Sequence, residues 1–135
     1  MATFVKFNSL VEHLAEKVHN FGSDQLVVAL TNTAPSTSNS VLTDITQISY
    51  TNLSSRNITV ASSSQSAGVY SCVTNDLTLT ASGSVGPFRY VVIYNDTPTS
   101  PADPLVGYYD YGSSITMADT ETFIINFGSS LFTLT

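Results

Sequence analysis

The stretch GPFRYVVIYNDTPTSPADPLVGYYDYGSSITMADTETFIINF, residues 86–127, holds the longest apolar strand of the chain, a proline-spaced loop, a tyrosine cluster and a second apolar strand. Side chains alternate along a strand, so residues 87–95 place Phe88, Tyr90, Val92 and Tyr94 on one face and Arg89, Val91 and Ile93 on the other. Both faces are mainly apolar. Such a strand belongs inside a sheet, with a second sheet or a helix over one face and loops or a partner over the other. Asn95, Asp96 and Thr97 supply turn chemistry, and Pro98 removes the donor that a continuing ladder would need. Pro98, Pro101 and Pro104 recur every third residue, a spacing that predicts an extended, exposed, polyproline-like loop.

Beyond the loop, residues 105–111 read as a strand, Gly112 and its two serines as a turn, and residues 115–117 as a short return. Another turn at 118–120 leads to a strand over 122–127 that places Phe123, Ile125 and Phe127 on one side, and a short strand at 131–134 closes the chain. Short strands at close intervals, divided by Gly, Pro, Asn and Ser, predict an antiparallel sandwich or barrel.

The front half adds one helix and more strands. Phe7, Leu10, Val11, Leu14, Val18 and Phe21 form a single stripe at helical spacing, so residues 3–21 are expected to form an amphipathic helix of about four turns. Ser9 with Glu12 gives a capping box while Thr3 could cap an earlier turn, Lys17 and His19 suit the negative end of the dipole, and Gly22 offers a left-handed stop. Residues 25–31, QLVVALT, predict a central strand; 32–40 predict a loop; 41–50 fit a strand or a helical turn equally well. Residues 57–61 and 69–74 read as strands around a flexible serine-rich tip at 62–68, and 77–81 alternates with Leu77, Leu79 and Ala81 inward. The expectation is one domain over residues 1–135: a mainly β, antiparallel, jelly-roll-like sandwich over 25–135 behind an N-terminal α-helix.

Composition narrows the function. A chain of 135 residues can bury a core without disulfides or metal, and its single cysteine, Cys72, excludes an internal disulfide. Cys72 lies mid-strand with no cation nearby, so it reads as a buried, inert thiol. Four basic residues against ten acidic ones, a formal charge of −6, leave no basic stripe for nucleic acid and no attraction to an anionic membrane. No basic segment followed by a long apolar run opens the chain, which predicts a soluble, unprocessed protein. The sequons at Asn52, Asn57 and Asn95 read as chance matches in a chain rich in Ser and Thr.

Catalytic and metal patterns are weak. Glu12, His13 and Glu16 do not make the H-E-x-x-H zinc helix, and His19 would lie on a different helical face from His13. Asp96, Asp103 and Asp110 bracket the proline loop at seven-residue spacing, unlike a calcium loop. No nucleophile elbow, phosphate loop or dinucleotide fingerprint occurs, and a serine hydrolase would have to borrow His13 or His19. The expectation is therefore no enzyme, no cofactor and no metal site. Tyr108, Tyr109 and Tyr111 draw more interest, since tyrosine at a surface suits a protein interface or a sugar ring, and Tyr108 should face opposite to Tyr109 and Tyr111.

The strings LTNTAP (30–35), GPFRYVVIYNDTPTSPADPLVGYYDYGSSITM (86–117) and TETFIINF (120–127), behind an amphipathic helix, resemble a group of small tailed-bacteriophage head decoration, or cement, proteins. Relatives in that group often carry tryptophan where this chain has Tyr108 and Tyr109. The resemblance implies a non-enzymatic virion protein, made in the host cytoplasm, that binds the outer surface of an assembled capsid and bridges subunits of the major capsid protein. It also implies self-association as a trimer or dimer. Pro98, Pro101, Pro104, Tyr108, Tyr109 and Tyr111 are the expected contact residues. The alternative is a tail or fibre-associated module that touches a host glycan through tyrosine.

Overall fold

The computed structural model describes residues 2–135. In chain order the elements are β1 (Val5–Lys6), α1 (Ser9–Ala15), β2 (Leu26–Thr31), β3 (Asn57–Ile58), β4 (Val60–Ser66), β5 (Val69–Thr74), β6 (Leu77–Thr80), β7 (Val85–Asn95), β8 (Leu105–Met117), β9 (Thr122–Ile125) and β10 (Phe132–Leu134). They make a five-stranded sheet in the order β1-β8-β7-β2-β3, a three-stranded sheet β10-β5-β4 and a two-stranded sheet β6-β9. Every pairing is antiparallel. The fold is the mainly β, sandwich-like arrangement with one helix that the strand pattern predicts.

The opening stretch does organise the molecule. β7 lies between β8 and β2, and the two faces of this sheet feed two separate apolar clusters. Leu26, Val28, Leu30, Val91, Ile93, Val106 and Tyr109 point into the main core, where Cys72 of β5, Leu79 of β6 and Ile125 of β9 meet them. Val27, Ala29, Val92, Tyr94 and Leu105 point the other way and are covered by Phe7 and Ile45. The ambiguous segment 41–50 thus forms a lid: a 3₁₀ turn at Leu42–Asp44, a bridge from Val41 to Pro104, and a bond from the Ile48 amide to the Leu30 carbonyl at 3.0 Å. A strand apolar on both faces needs two covers, and this chain supplies both.

Phe88 departs from simple alternation. It packs in the main core with Val91 and Ile93, not on the face of Tyr90, Val92 and Tyr94, because the β7–β8 register shifts between Phe88 and Tyr90. Extra residues on β8 take up that shift around Gly112 (φ +86), so the expected turn at 112–114 is a bulge inside one continuous strand, Leu105–Met117.

The helix is much shorter than the apolar stripe suggests. Val5 and Lys6 pair with Tyr108 and Gly107 at the edge of β8, and the Phe7 amide continues that ladder to the Val106 carbonyl at 3.2 Å. The ring of Phe4 fills the space that a Cβ on Gly107 would take. Sheet pairing therefore captures the first turn of the expected helix. At the other end Lys17 adopts φ +65; its amide bonds the Leu14 carbonyl at 3.3 Å and the Val18 amide bonds the His13 carbonyl at 2.8 Å. That is a Schellman stop, and it ends the helix well before Gly22. The expected capping box is also absent, since Asn8 takes the N-cap position without a side-chain bond and the Ser9 hydroxyl is buried without a partner.

Candidate contact surfaces

The residues expected at a contact surface are scattered. The proline loop is not extended: Thr99 bridges to Ala102 and Asp103 turns left-handed at φ +50, which folds the loop back on itself. Pro98 and Pro101 are half-buried and Pro104 is buried under the lid. Tyr109 is 4% exposed in the main core, where burial pushes its phenol up to about 12. Pro104 and Tyr109 are therefore interior residues of this chain, which corrects their assignment to a contact surface. Tyr108 and Tyr111 are half-buried and, as alternation predicts, lie on opposite faces; Tyr108 packs on Phe7 at 5.4 Å and Tyr111 on Phe123 at 5.1 Å.

Two surface features were not legible in the sequence. One is an apolar groove of about 270 Å³ between the N-terminal segment, α1 and β10, lined by Phe4, Leu10, Val11, Leu14, Phe132 and Leu134 among others. Val11 is 54% exposed and Leu134 40%. The helix lies against β8 with Leu10 turned inward and Val11 left out. The second is a cleft of about 340 Å³ lined by Ala2, Asp110, Tyr111, Gly112, Ile124 and Asn126, beside an Ile124 that is 60% exposed. The N-terminal segment runs from one feature to the other, with Ala2 in the cleft and Phe4 in the groove.

Both arginines are committed within the fold. Arg89 forms a bidentate pair with Asp110, at 2.8 and 3.1 Å, on the solvent side of β7 and β8. The Arg89 bonds hold the Asp110 carboxyl below its usual range, helped by the Gly112 amide. Arg56 lies 3.7 Å over the Tyr50 ring and donates to the Val28 carbonyl, so it fastens the lid. Burial, followed by its neighbour Asp96, raises the Asp103 carboxyl. Asp110 is engaged elsewhere, and among the described residues no group of three or more His, Cys, Asp or Glu is placed to hold a metal ion.

The two histidines come together against expectation. The turn at Lys17 carries His19 back beside His13, with ring centroids 5.8 Å apart. His19 is 7% exposed and stacks on Phe21. Asn95, fully buried at the end of β7, accepts from the Thr97 amide through Oδ1 at 3.1 Å and donates from Nδ2 to Asp24 Oδ2 at 2.7 Å and to His19 Nδ1 at 3.0 Å. With Nδ1 accepting, neutral His19 carries its proton on Nε2, which is buried without a partner. Burial, and then His13, push its pKa down to about 4, against a smaller opposing pull from Asp24. His19 lines a cleft of about 390 Å³ with Ser63, Tyr70 and Lys17, yet one ring nitrogen is occupied and the other enclosed. The arrangement ties the end of β7 to the N-terminal segment and leaves His19 without an open ring nitrogen.

No family model matches the chain, and no curated protein or solved structure matches it. Among the described residues no helix is long and apolar enough to cross a membrane.

Proposed function

We propose that this chain is a structural protein of a tailed-phage virion that binds the outer face of the assembled capsid and bridges subunits of the major capsid protein. The observation that carries the reading is the apolar groove with Val11 and Leu134 exposed at its rim, on a β core covered on both sides of its central sheet. A rigid body that presents apolar side chains suits a partner offering matching apolar surface, and desolvation of such a patch is the main source of binding energy. The commitment of Arg56 and Arg89 within the fold supports a partner other than nucleic acid. A bridge across subunits adds contacts that must break before the shell opens, and it forms only once the lattice exists.

The test uses purified protein and expanded heads stripped of it. Saturable binding that raises the temperature of DNA release is expected, and Val11→Asp should weaken binding on the order of tenfold by placing a charge at the apolar rim. Absence of binding to heads would remove the proposal.

A second reading rests on the Tyr111 cleft, where an aromatic ring and the Asn126 side-chain amide share one surface beside the Arg89-bound Asp110 carboxylate. That combination suits a sugar ring, with stacking on one face and hydrogen bonds to hydroxyls. A glycan array with wild type and Tyr111→Ala separates the readings, since a capsid-bound cement protein gives no glycan signal in either.

A further inference from the structure

We propose that the free edge of β4 pairs with β4 of a second copy of this chain, antiparallel about a two-fold axis at Ser64, joining two three-stranded sheets into one continuous sheet. β4 is the outer strand of the order β10-β5-β4. At seven residues it is the longest edge strand of the molecule, against two for β1 and β3, three for β10 and four for β6 and β9. Short edges protect themselves; a long one needs a charge, a proline, a bulge or a cover. Val60–Ser66 has no charge and no proline, its side chains from Ala61 to Ser66 are exposed on both faces, and its irregularity falls between Val60 and Ser62. The remainder, Ser62 to Ser66, is a regular edge with no strand paired beyond it among the described residues; the Asn20–Gly22 segment approaches only the Ser63 side chain.

The hairpin geometry determines which groups are free. Ala67 and Gly68 are both left-handed (φ +51 and +81) and join Ser66 directly to its partner Val69, the form of a tight two-residue turn. In such a hairpin the closing pair exchanges both backbone bonds, and bonding then alternates along the ladder. Ser66, Ser64 and Ser62 therefore bond β5, while the amides and carbonyls of Gln65 and Ser63 point away from it. A two-fold at Ser64 sets Ser63 against Gln65 of the second copy and Gln65 against its Ser63, so every outward group meets its complement. Ser64 then faces itself as a non-hydrogen-bonded pair, where side chains approach closely.

A second copy fits this edge better than a foreign strand. Added peptides gain specificity from pockets for alternate side chains, and the small hydroxyls of β4 offer none. Self-pairing needs only that like charges stay apart. Each chain carries −6, yet no charged residue occurs between Arg56 and Asp76, so this hairpin is where two copies can meet without opposing carboxylates. The inference deepens the capsid reading without depending on it: loss of head binding leaves edge pairing untouched, and the reverse holds too.

Mild oxidation of full-length Ser64→Cys tests it on non-reducing gels. The proposed axis puts the two introduced sulfurs within bridging distance. In Ser62→Cys the same axis separates them by roughly 13 Å, about four residues along a strand and beyond disulfide reach. Ser64→Cys should therefore give on the order of tenfold more reducible dimer than Ser62→Cys. Adding Gln65→Pro should abolish the dimer, since the amide it removes points outward; within the hairpin the β4–β5 ladder is kept and only the bond from the Gly68 amide to Gln65 Oε1 is lost. Circular dichroism confirms the fold of each variant. Equal cross-linking of both cysteine variants, a folded Ser64→Cys that stays monomeric, or a dimer that survives Gln65→Pro would each overturn the proposal.

Discussion

β7 and β4 are both long strands paired to a neighbour by a well-formed ladder, yet one is buried along almost its whole length and the other is exposed on both faces. β7 reads VGPFRYVVIYN and sits between two covers; β4 reads VASSSQS and has none. Backbone pairing is common to both, so it does not explain why one strand holds the molecule together. Burial does: each large apolar side chain removed from water contributes about 1.5–3 kcal/mol, and serine contributes almost nothing of that kind. β7 carries the fold, and β4 is left free to carry contacts.

The sharpest way to break this contrast is to shorten one side chain in each strand. Phe88 is fully buried, with Phe123 edge-on at 5.3 Å, so Phe88→Ala should cost about 3–5 kcal/mol in urea unfolding. Ser64→Ala should stay within about 0.5 kcal/mol of wild type, as substitutions at exposed positions do. Comparable losses from the two would show that the hairpin edge contributes to the core after all.

Acid provides the next largest effect, because a titrating group lies at the end of β7 while none of the charged residues or histidines lies in the β4–β5 hairpin. Folding lowers the His19 pKa from 6.5 to about 4, chiefly by burial and then by His13, with Asp24 pulling the other way. Between these values the unfolded chain binds a proton that the folded chain refuses. Stability is therefore complete above pH 6.5 and falls as the pH drops toward 4, by about 3 kcal/mol at most. His19→Gln should flatten unfolding free energy across this window. A slope unchanged by that substitution would place the acid sensitivity elsewhere.

The same contrast explains what could be read in advance. β2, β5, β6 and β7 were legible to within a residue or two, because apolar runs and clean alternation report burial directly. The mainly β sandwich with one helix follows from them. The helix was overread because Phe7 and Phe21 fit its stripe; in the fold Phe7 follows β1 and packs on the second cluster, while Phe21 lies beyond the helix end and packs in the main core. All of β4 beyond Ala61 was read as a flexible tip, since its serines give no pattern and its pairing comes from β5 and the turn. The tyrosine faces were legible by alternation, but their exposure was not: Tyr109 and Tyr111 share a face and differ only in what lies above them. The groove around Val11 depends on where the helix docks, a tertiary fact with no local signal.

A smaller gain than either of these losses concerns the turn that holds β4 in place. Ala67 sits at φ +51, a conformation that costs an ordinary L-residue about 1–2 kcal/mol and that asparagine adopts more readily. Ala67→Asn should therefore recover on the order of 1 kcal/mol within the hairpin. Where that gain appears depends on how the hairpin opens. If β4 and β5 separate while the β7 core stays closed, hydrogen exchange at Ser62 and Ser64, whose amides face β5, should slow several-fold while exchange at Val91 and Ile93 hardly changes. Uniform slowing across both regions would mean that the hairpin opens only with the whole molecule. In that case β4, for all its exposure, would belong to the same cooperative unit as β7.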